Sequence, residues 1–139
     1  MKLQFSQTFE WPLGISILRI MAGIMIMQHG LVIFNGAAMA KTIDFFGNTL
    51  FLPAPAFMAW LAKGAEFFCG CLLILGLFSK MVLGVLIIDM VVALTSAAKW
   101  AIFSHGELPF VYLLFFILLL LSPTDKYSIV SLFKKIIAK

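Results

Sequence analysis

Charged residues are scarce in this sequence. Lysine, arginine, aspartate and glutamate make up 12% of the 139 residues, whereas hydrophobic residues make up 63%. Soluble domains contain about 25% charged and about 45 to 50% apolar residues, so the composition excludes a soluble globular domain and indicates a one-domain integral membrane protein. The net charge of +4 suits anionic lipid headgroups, and no basic face of the kind that binds nucleic acid is visible.

Cysteine and histidine are also rare, with two residues of each. Cys69 and Cys71 are two positions apart in one apolar segment, where a helix points them in different directions, so they cannot form a disulfide without breaking the helix. We interpret them as packing residues. Two such thiols and two distant histidines make no ligand set for haem or an iron–sulfur cluster, and we expect neither haem nor a bound metal.

What the sequence has in abundance is long apolar runs. They predict membrane helices at about residues 13–34, 55–78, 81–98 and 107–122, although the last run is short against a hydrocarbon core about 30 Å thick. The expected fold is all-α, an integral membrane four-helix bundle with up-down-up-down topology. Residues 128–139 predict a C-terminal amphipathic helix on the membrane surface.

The end of the first run has two interpretations. Ala38-Met39-Ala40 looks like a signal-peptide cleavage site, but the apolar run before it is too long for a signal peptide and contains Arg19. We therefore expect an uncleaved anchor. Residues 35–54 keep helical spacing of apolar side chains and predict a short interfacial helix, with Lys41 and Asp44 on its wet side.

The second run carries charges near its middle, where an isolated charge costs about 2.5 to 3.5 kcal/mol. Lys63 and Glu66 are three residues apart and share a helix face. Arg19, on the antiparallel first helix, is expected to reach the same depth, unless it extends to the headgroups instead. Lys63 and Glu66 form either an ion pair that neutralises itself or, with Arg19, a functional site in which one carboxylate has two possible cationic partners. We favour the second interpretation, with Glu66 and Arg19 as candidate catalytic residues.

Other polar groups are candidate ligand-binding residues together with Lys63. Asp89, at the centre of the third run, is at least as easily explained as a protonated structural group. His29, near the end of the first run, is more often a packing histidine than a ligand. Glu107 is more readily explained as a favourable charge at a helix N-terminus than as a ligand, and His105 lies in the loop before it.

The lysines predict the orientation of the bundle. Four spans place both termini on one side, and most of the lysines lie on that side: Lys2, Lys80, Lys126, Lys134, Lys135 and Lys139. The other side has Lys41 and Lys99. The positive-inside rule then places both termini in the cytoplasm.

Several short motifs, in order, resemble those of the DoxX family of small four-helix membrane proteins. They are Leu18-Arg19-Ile20 with Gly23, His29-Gly30, Glu66 with Gly70 and Gly76, Gly76-Leu77-Phe78-Ser79-Lys80, Glu107-Leu108-Pro109 and Lys126-Tyr127-Ser128-Ile129. The chain departs from the family where Ser122-Pro123-Thr124 replaces a glycine stretch and where Val130 replaces an acid.

The resemblance implies a protein of the bacterial inner membrane with a link to redox chemistry. Relatives include the DoxD-type membrane subunit of a thiosulfate:quinone oxidoreductase, and others are associated with sulfur redox and oxidative stress. We therefore expect a quinone-interacting membrane subunit in which Arg19, Glu66 and His29 contact the quinone head, with electrons from another protein or a soluble donor. The alternative is a non-catalytic assembly module that recruits partner proteins or forms a homo-oligomer, with its buried charges fixing helix pairing. Small-molecule transport has little support, because no convincing inverted repeat is visible.

Overall fold

The computed structural model describes residues 11–97, 99, 102–104, 106–122, 131, 136 and 137. These residues are helical or form turns, and they contain no β-strand, which confirms the all-α class. The α-helices are α1 (Trp11–Gly30), α2 (Gly36–Asp44), α3 (Pro55–Leu75), α4 (Ser79–Ser96) and α5 (Glu107–Leu121). A 3₁₀ turn, Leu31–Phe34, extends α1, and a π-helical turn, Phe45–Thr49, extends α2.

Three helical segments within the described part of the chain are long and apolar enough to cross a membrane: Pro12–Phe34, Pro55–Leu75 and Ser79–Ser96. Large apolar side chains cover their outer surfaces, as at Phe68 and Ile88, which are 62% and 66% exposed. Such surfaces are stable only against lipid or protein, so the molecule is a membrane protein. At 15 residues α5 is shorter than these segments, and its role as a fourth span stays a prediction.

The second span ends earlier than the sequence predicts. Gly76 adopts a left-handed conformation with φ of 69°, and its N–H donates to the carbonyl of Leu73. The N–H of Leu77 then donates to the carbonyl of Leu72, which completes a glycine-terminated helix end. The α3 helix therefore stops at Leu75 rather than at residue 78, and α4 begins after a very short connection.

Glycines allow α1 and α3 to pack closely. Gly23 faces Gly70 and Ile74, and Gly30 faces Phe67, so the two helices are antiparallel. A Cβ atom at Gly70 would lie 2.8 Å from the backbone nitrogen of Met27. The glycine-bearing face of α1 is therefore a close contact with α3.

The main apolar core lies among α1, α3, α4 and α5. Its buried members are Ala22, Ile26, Leu73, Val82, Leu83, Leu86, Met90, Tyr112 and Phe116. The sequence does not reveal this core by amphipathicity, because these helices are apolar on every side. The core holds α4 and α5 together. The opposite faces of α3 and α4 line a cavity instead.

The short helix predicted within residues 35–54 is present as α2. The Oδ1 atom of Asn35 accepts hydrogen bonds from the backbone N–H groups of Ala37 and Ala38, both at 3.1 Å, and so caps its N-terminus. Lys41 and Asp44 are exposed, in keeping with the wet side expected for them. The predicted amphipathic tail lies almost entirely outside the described residues.

Candidate functional site

Lys63 and Glu66 form an ion pair one turn apart on α3. The Nζ atom of Lys63 donates to Oε1 of Glu66 at 2.8 Å and to Oε2 at 2.7 Å. Glu66 is only 7% exposed, so its charge is held inside the protein with the ammonium as its neighbour. The pairing predicted from their spacing is confirmed.

Asp89 brings a second carboxyl group to the same place from α4. It lines the same cavity as Lys63 and Glu66. Its Oδ2 atom is buried and has no hydrogen-bond partner among the described residues. One ammonium and two carboxyl groups therefore share a small region near the middle of two apolar helices.

These groups line a cavity of about 620 Å³ bounded by α2, the turn after it, α3 and α4. On α3 its lining runs from Met58 to Glu66, and on α4 from Val85 to Ser96, with Ala97 just after the helix. Lys63, Glu66 and Asp89 therefore lie toward one end of this lining, which we call the inner end. Most of the remaining wall is apolar: Phe45, Phe46, Leu50, Leu52, Met58, Leu61, Ala62, Ala65, Val85, Ile88, Val92 and Ala93.

The α2 helix and the turn that follows it form one wall of the cavity. Lys41, Thr42, Phe45 and Phe46 all line it. Sequence reasoning predicted this helix from its apolar spacing but assigned these residues no part in a site. The spacing shows that a helix forms, whereas the element on which it packs depends on the rest of the fold.

Arg19 does not join this cluster. It is 3% exposed on α1, but it is absent from the cavity lining. Gly30 packs against Phe67, the neighbour of Glu66, and Arg19 lies roughly 16 Å along α1 from Gly30 at 1.5 Å per residue. The predicted meeting of Arg19 with Glu66 is therefore not found, because the glycine contacts set a different register between the helices.

His29 lies in a separate aromatic group. Its ring meets Tyr112 of α5 edge-on, with ring centroids 5.9 Å apart, and Tyr112 stacks on Phe116 at 5.8 Å. Glu107 is exposed at the first position of α5, where its charge faces the positive end of the helix dipole. Neither residue lines the cavity, and His105 lies outside the described residues.

The cysteines behave as packing groups. The thiol of Cys71 donates to the sulfur of Met27 at 3.5 Å across the α1–α3 contact, and Cys69 packs beside the apolar core. Both thiols are free. Within the part of the chain that the structure describes, no group of three or more histidine, cysteine, aspartate or glutamate side chains is arranged to hold a metal ion.

The fold and the cavity define a small helical membrane protein with a charged cluster buried among its spans. Residues 14–100 match the DoxX family, and the chain belongs to that family. It is 34% identical over 109 residues to "Putative oxidoreductase CatD" of Bacillus subtilis (strain 168), an alignment that covers 78% of this chain and 75% of the relative. No solved structure matches the chain.

Proposed function

We propose that this protein is a quinone-binding membrane subunit of a sulfur- or oxidative-stress-linked redox system. The observation that carries the proposal is the cavity between α3 and α4, which places Lys63, Glu66 and Asp89 at the inner end of an apolar chamber. The name of the Bacillus relative, "Putative oxidoreductase CatD", supports the same class of activity.

The cavity suits a quinone in size and in chemistry. Its volume of about 620 Å³ falls within the range of roughly 300 to 1,000 Å³ that is common for small-molecule sites. Aromatic and aliphatic walls such as Phe46 and Met58 suit a flat ring, and the charged cluster can form hydrogen bonds with its oxygen atoms.

The membrane supplies a route into the cavity. Leu61, Val85 and Ile88 line it and are also exposed on the outer surface of α3 and α4. A hydrophobic ligand dissolved in the bilayer can therefore enter sideways between these helices. Its apolar tail would remain in contact with lipid while its head reached Glu66.

When bound, a quinone supplies two-electron redox chemistry that consumes two protons on reduction. In this proposal Glu66 and Asp89 hold and release protons at their carboxyl oxygens, and Lys63 stabilises the carboxylate that remains. The electrons come from a partner protein or a soluble sulfur compound. Arg19 has no place in this cavity, so Lys63 and Asp89 take the role beside Glu66 that the sequence suggested for Arg19.

The test is quinone reduction in membranes of a deletion strain that carries wild type, Glu66→Gln or Asp44→Asn. Asp44 is the matched carboxylate control, because it is exposed on α2 and does not line the cavity. We expect Glu66→Gln, whose amide oxygen can still accept from Lys63, to accumulate at a reduced level and to lose at least 90% of sulfur-dependent quinone reduction per molecule of folded protein, with Asp44→Asn unchanged. Wild-type membranes without such activity, together with failure of Glu66→Gln to accumulate, would favour the assembly module.

A further inference from the structure

We infer that the cavity binds the hydroxyl form of its ligand, a quinol, more tightly than the carbonyl form, and that Asp89 sets this preference. The inference rests on the proposed quinone function and adds to it the redox state that the site selects. It depends on which hydrogen-bond donors and acceptors at the inner end of the cavity are still able to bind a ligand.

Acceptors outnumber donors at the inner end. The ammonium of Lys63 has three N–H bonds, and the two carboxylate oxygens of Glu66 accept from it at 2.8 and 2.7 Å. One N–H bond of Lys63 is then left. Asp89 adds two more acceptor oxygens, of which Oδ2 is buried with no hydrogen-bond partner among the described residues.

The other polar groups of the lining do not correct this imbalance. The hydroxyl of Thr42 donates to the carbonyl of Ala38 at 3.1 Å within α2. Ser96 is the last residue of α4, seven residues after Asp89, and Lys41 lies on α2; neither donates a hydrogen bond to Oδ2 of Asp89. When the carboxyl group of Asp89 is ionised, its hydrogen bond must therefore come from the ligand.

A quinol meets this need and a quinone does not. A phenolic hydroxyl donates one hydrogen bond and accepts others, so it can accept from the remaining N–H of Lys63 and donate to the carboxylate of Asp89. A quinone carbonyl can only accept, and it leaves the carboxylate without a donor. We expect the quinol to bind about tenfold to a hundredfold more tightly.

The preference has a measurable redox consequence. A tenfold tighter binding of the two-electron-reduced form raises the midpoint potential of the bound couple by about 30 mV. The bound quinone is then a better electron acceptor than the same quinone free in the bilayer. The site would favour reduction of quinone by a donor and would hold the product until exchange.

The experiment is equilibrium binding of decylubiquinone and of its reduced form, decylubiquinol, to the full chain in lipid nanodiscs without oxygen. Wild type, Asp89→Asn, Asp89→Glu and Asp44→Asn are compared. Wild type and the matched control Asp44→Asn should bind the quinol at least tenfold more tightly. Asp89→Asn should lose this preference because its amide can donate to a carbonyl, and Asp89→Glu should keep it because the carboxylate remains.

The outcomes separate this inference from the quinone function itself. Equal binding of both forms to wild type, tighter binding of the quinone, or an unchanged preference in Asp89→Asn would overturn the inference while leaving quinone binding in place. Tighter quinone binding is the result expected if Asp89 acts as a neutral acid that donates. If folded wild type binds neither form, the quinone function and the inference both fall. The wild-type comparison decides the case even if Asp89→Asn does not fold.

Discussion

At the residue scale, the unusual feature of the molecule is a charge cluster within helices that otherwise face lipid. Glu66 is almost fully buried, and Lys63 is close enough to satisfy both of its oxygens. Removing one member of a buried ion pair is far more harmful than removing both, because the remaining charge has no partner. Single and double substitutions can therefore separate the contribution of the pair to stability from its proposed role in ligand binding.

We predict that Lys63→Met destabilises the protein by about 3 to 5 kcal/mol, because it leaves Glu66 as an isolated buried charge. The double variant Lys63→Met with Glu66→Leu should recover most of that loss. Reversible unfolding in detergent, followed by circular dichroism, measures both. Lys80→Met is the control, since Lys80 is exposed at the start of α4.

A Lys63→Met protein as stable as wild type would show that Glu66 does not need its ammonium neighbour. In that case the ion pair would be incidental to stability. A double variant as unstable as the single one would instead point to lost packing of the long lysine side chain as the cause.

At the element scale, the contact between α1 and α3 determines which residues of the two helices lie at the same depth in the membrane. Gly23 and Gly70 bring the two backbones together, and Gly30 does the same against Phe67. The register set by these contacts places Glu66 near Gly30 and moves Arg19 toward the other end of α3. Substitution of these glycines therefore tests the helix pairing directly.

We predict that Gly70→Ala destabilises the protein by about 1 to 3 kcal/mol, because its Cβ would meet the backbone nitrogen of Met27 at 2.8 Å and the carbonyl oxygen of Gly23 at 2.9 Å. Backbone atoms cannot move aside as a flexible side chain can, so the helices must separate. Thermal unfolding in detergent, followed by size-exclusion chromatography, gives the change.

Gly64→Ala is the matched control on the same helix. Its added Cβ would meet no atom within 4 Å, and alanine favours the helix by about 1 kcal/mol over glycine. We expect this variant to be as stable as wild type or slightly more so. Equal stability of Gly70→Ala and Gly64→Ala would contradict the close α1–α3 contact.

At the scale of the whole molecule, the placement of the cavity depends on orientation. We propose that α5 is the fourth span and that both termini lie in the cytoplasm, as the distribution of lysines indicates. The short connection between α3 and α4, with Lys80 at the start of α4, would then face the cytoplasm, and α2 would cover the cavity from the outer side. Ligand would enter from the outer half of the bilayer.

We predict that a membrane-impermeant maleimide labels Asp44→Cys in intact spheroplasts but labels Lys80→Cys only after lysis. Both residues are exposed, and the two native cysteines are replaced by alanine in the background chain. The reverse pattern would contradict the proposed orientation. Labelling of both positions from the same side would contradict the crossing of the membrane by α3.

The sequence by itself determined that this is an all-helical membrane protein, where most helices lie, and that Lys63 pairs with Glu66. Those features depend on composition, on apolar run length and on spacing within one helix, all of which are local. The motifs also sufficed to identify the family. The end of α3 was misplaced because the apolar run continues past Gly76, whereas the helix ends at Leu75.

Only the tertiary structure decided which polar groups meet. Asp89 joins Lys63 and Glu66 in one cavity, Arg19 and His29 do not, and α2 contributes to the lining of that cavity. Helices that are apolar on every side carry no pattern that marks their contacts, since lipid and protein interiors are equally apolar. The partners of each helix were therefore set by backbone shape, above all by the glycines that allow α1 and α3 to touch.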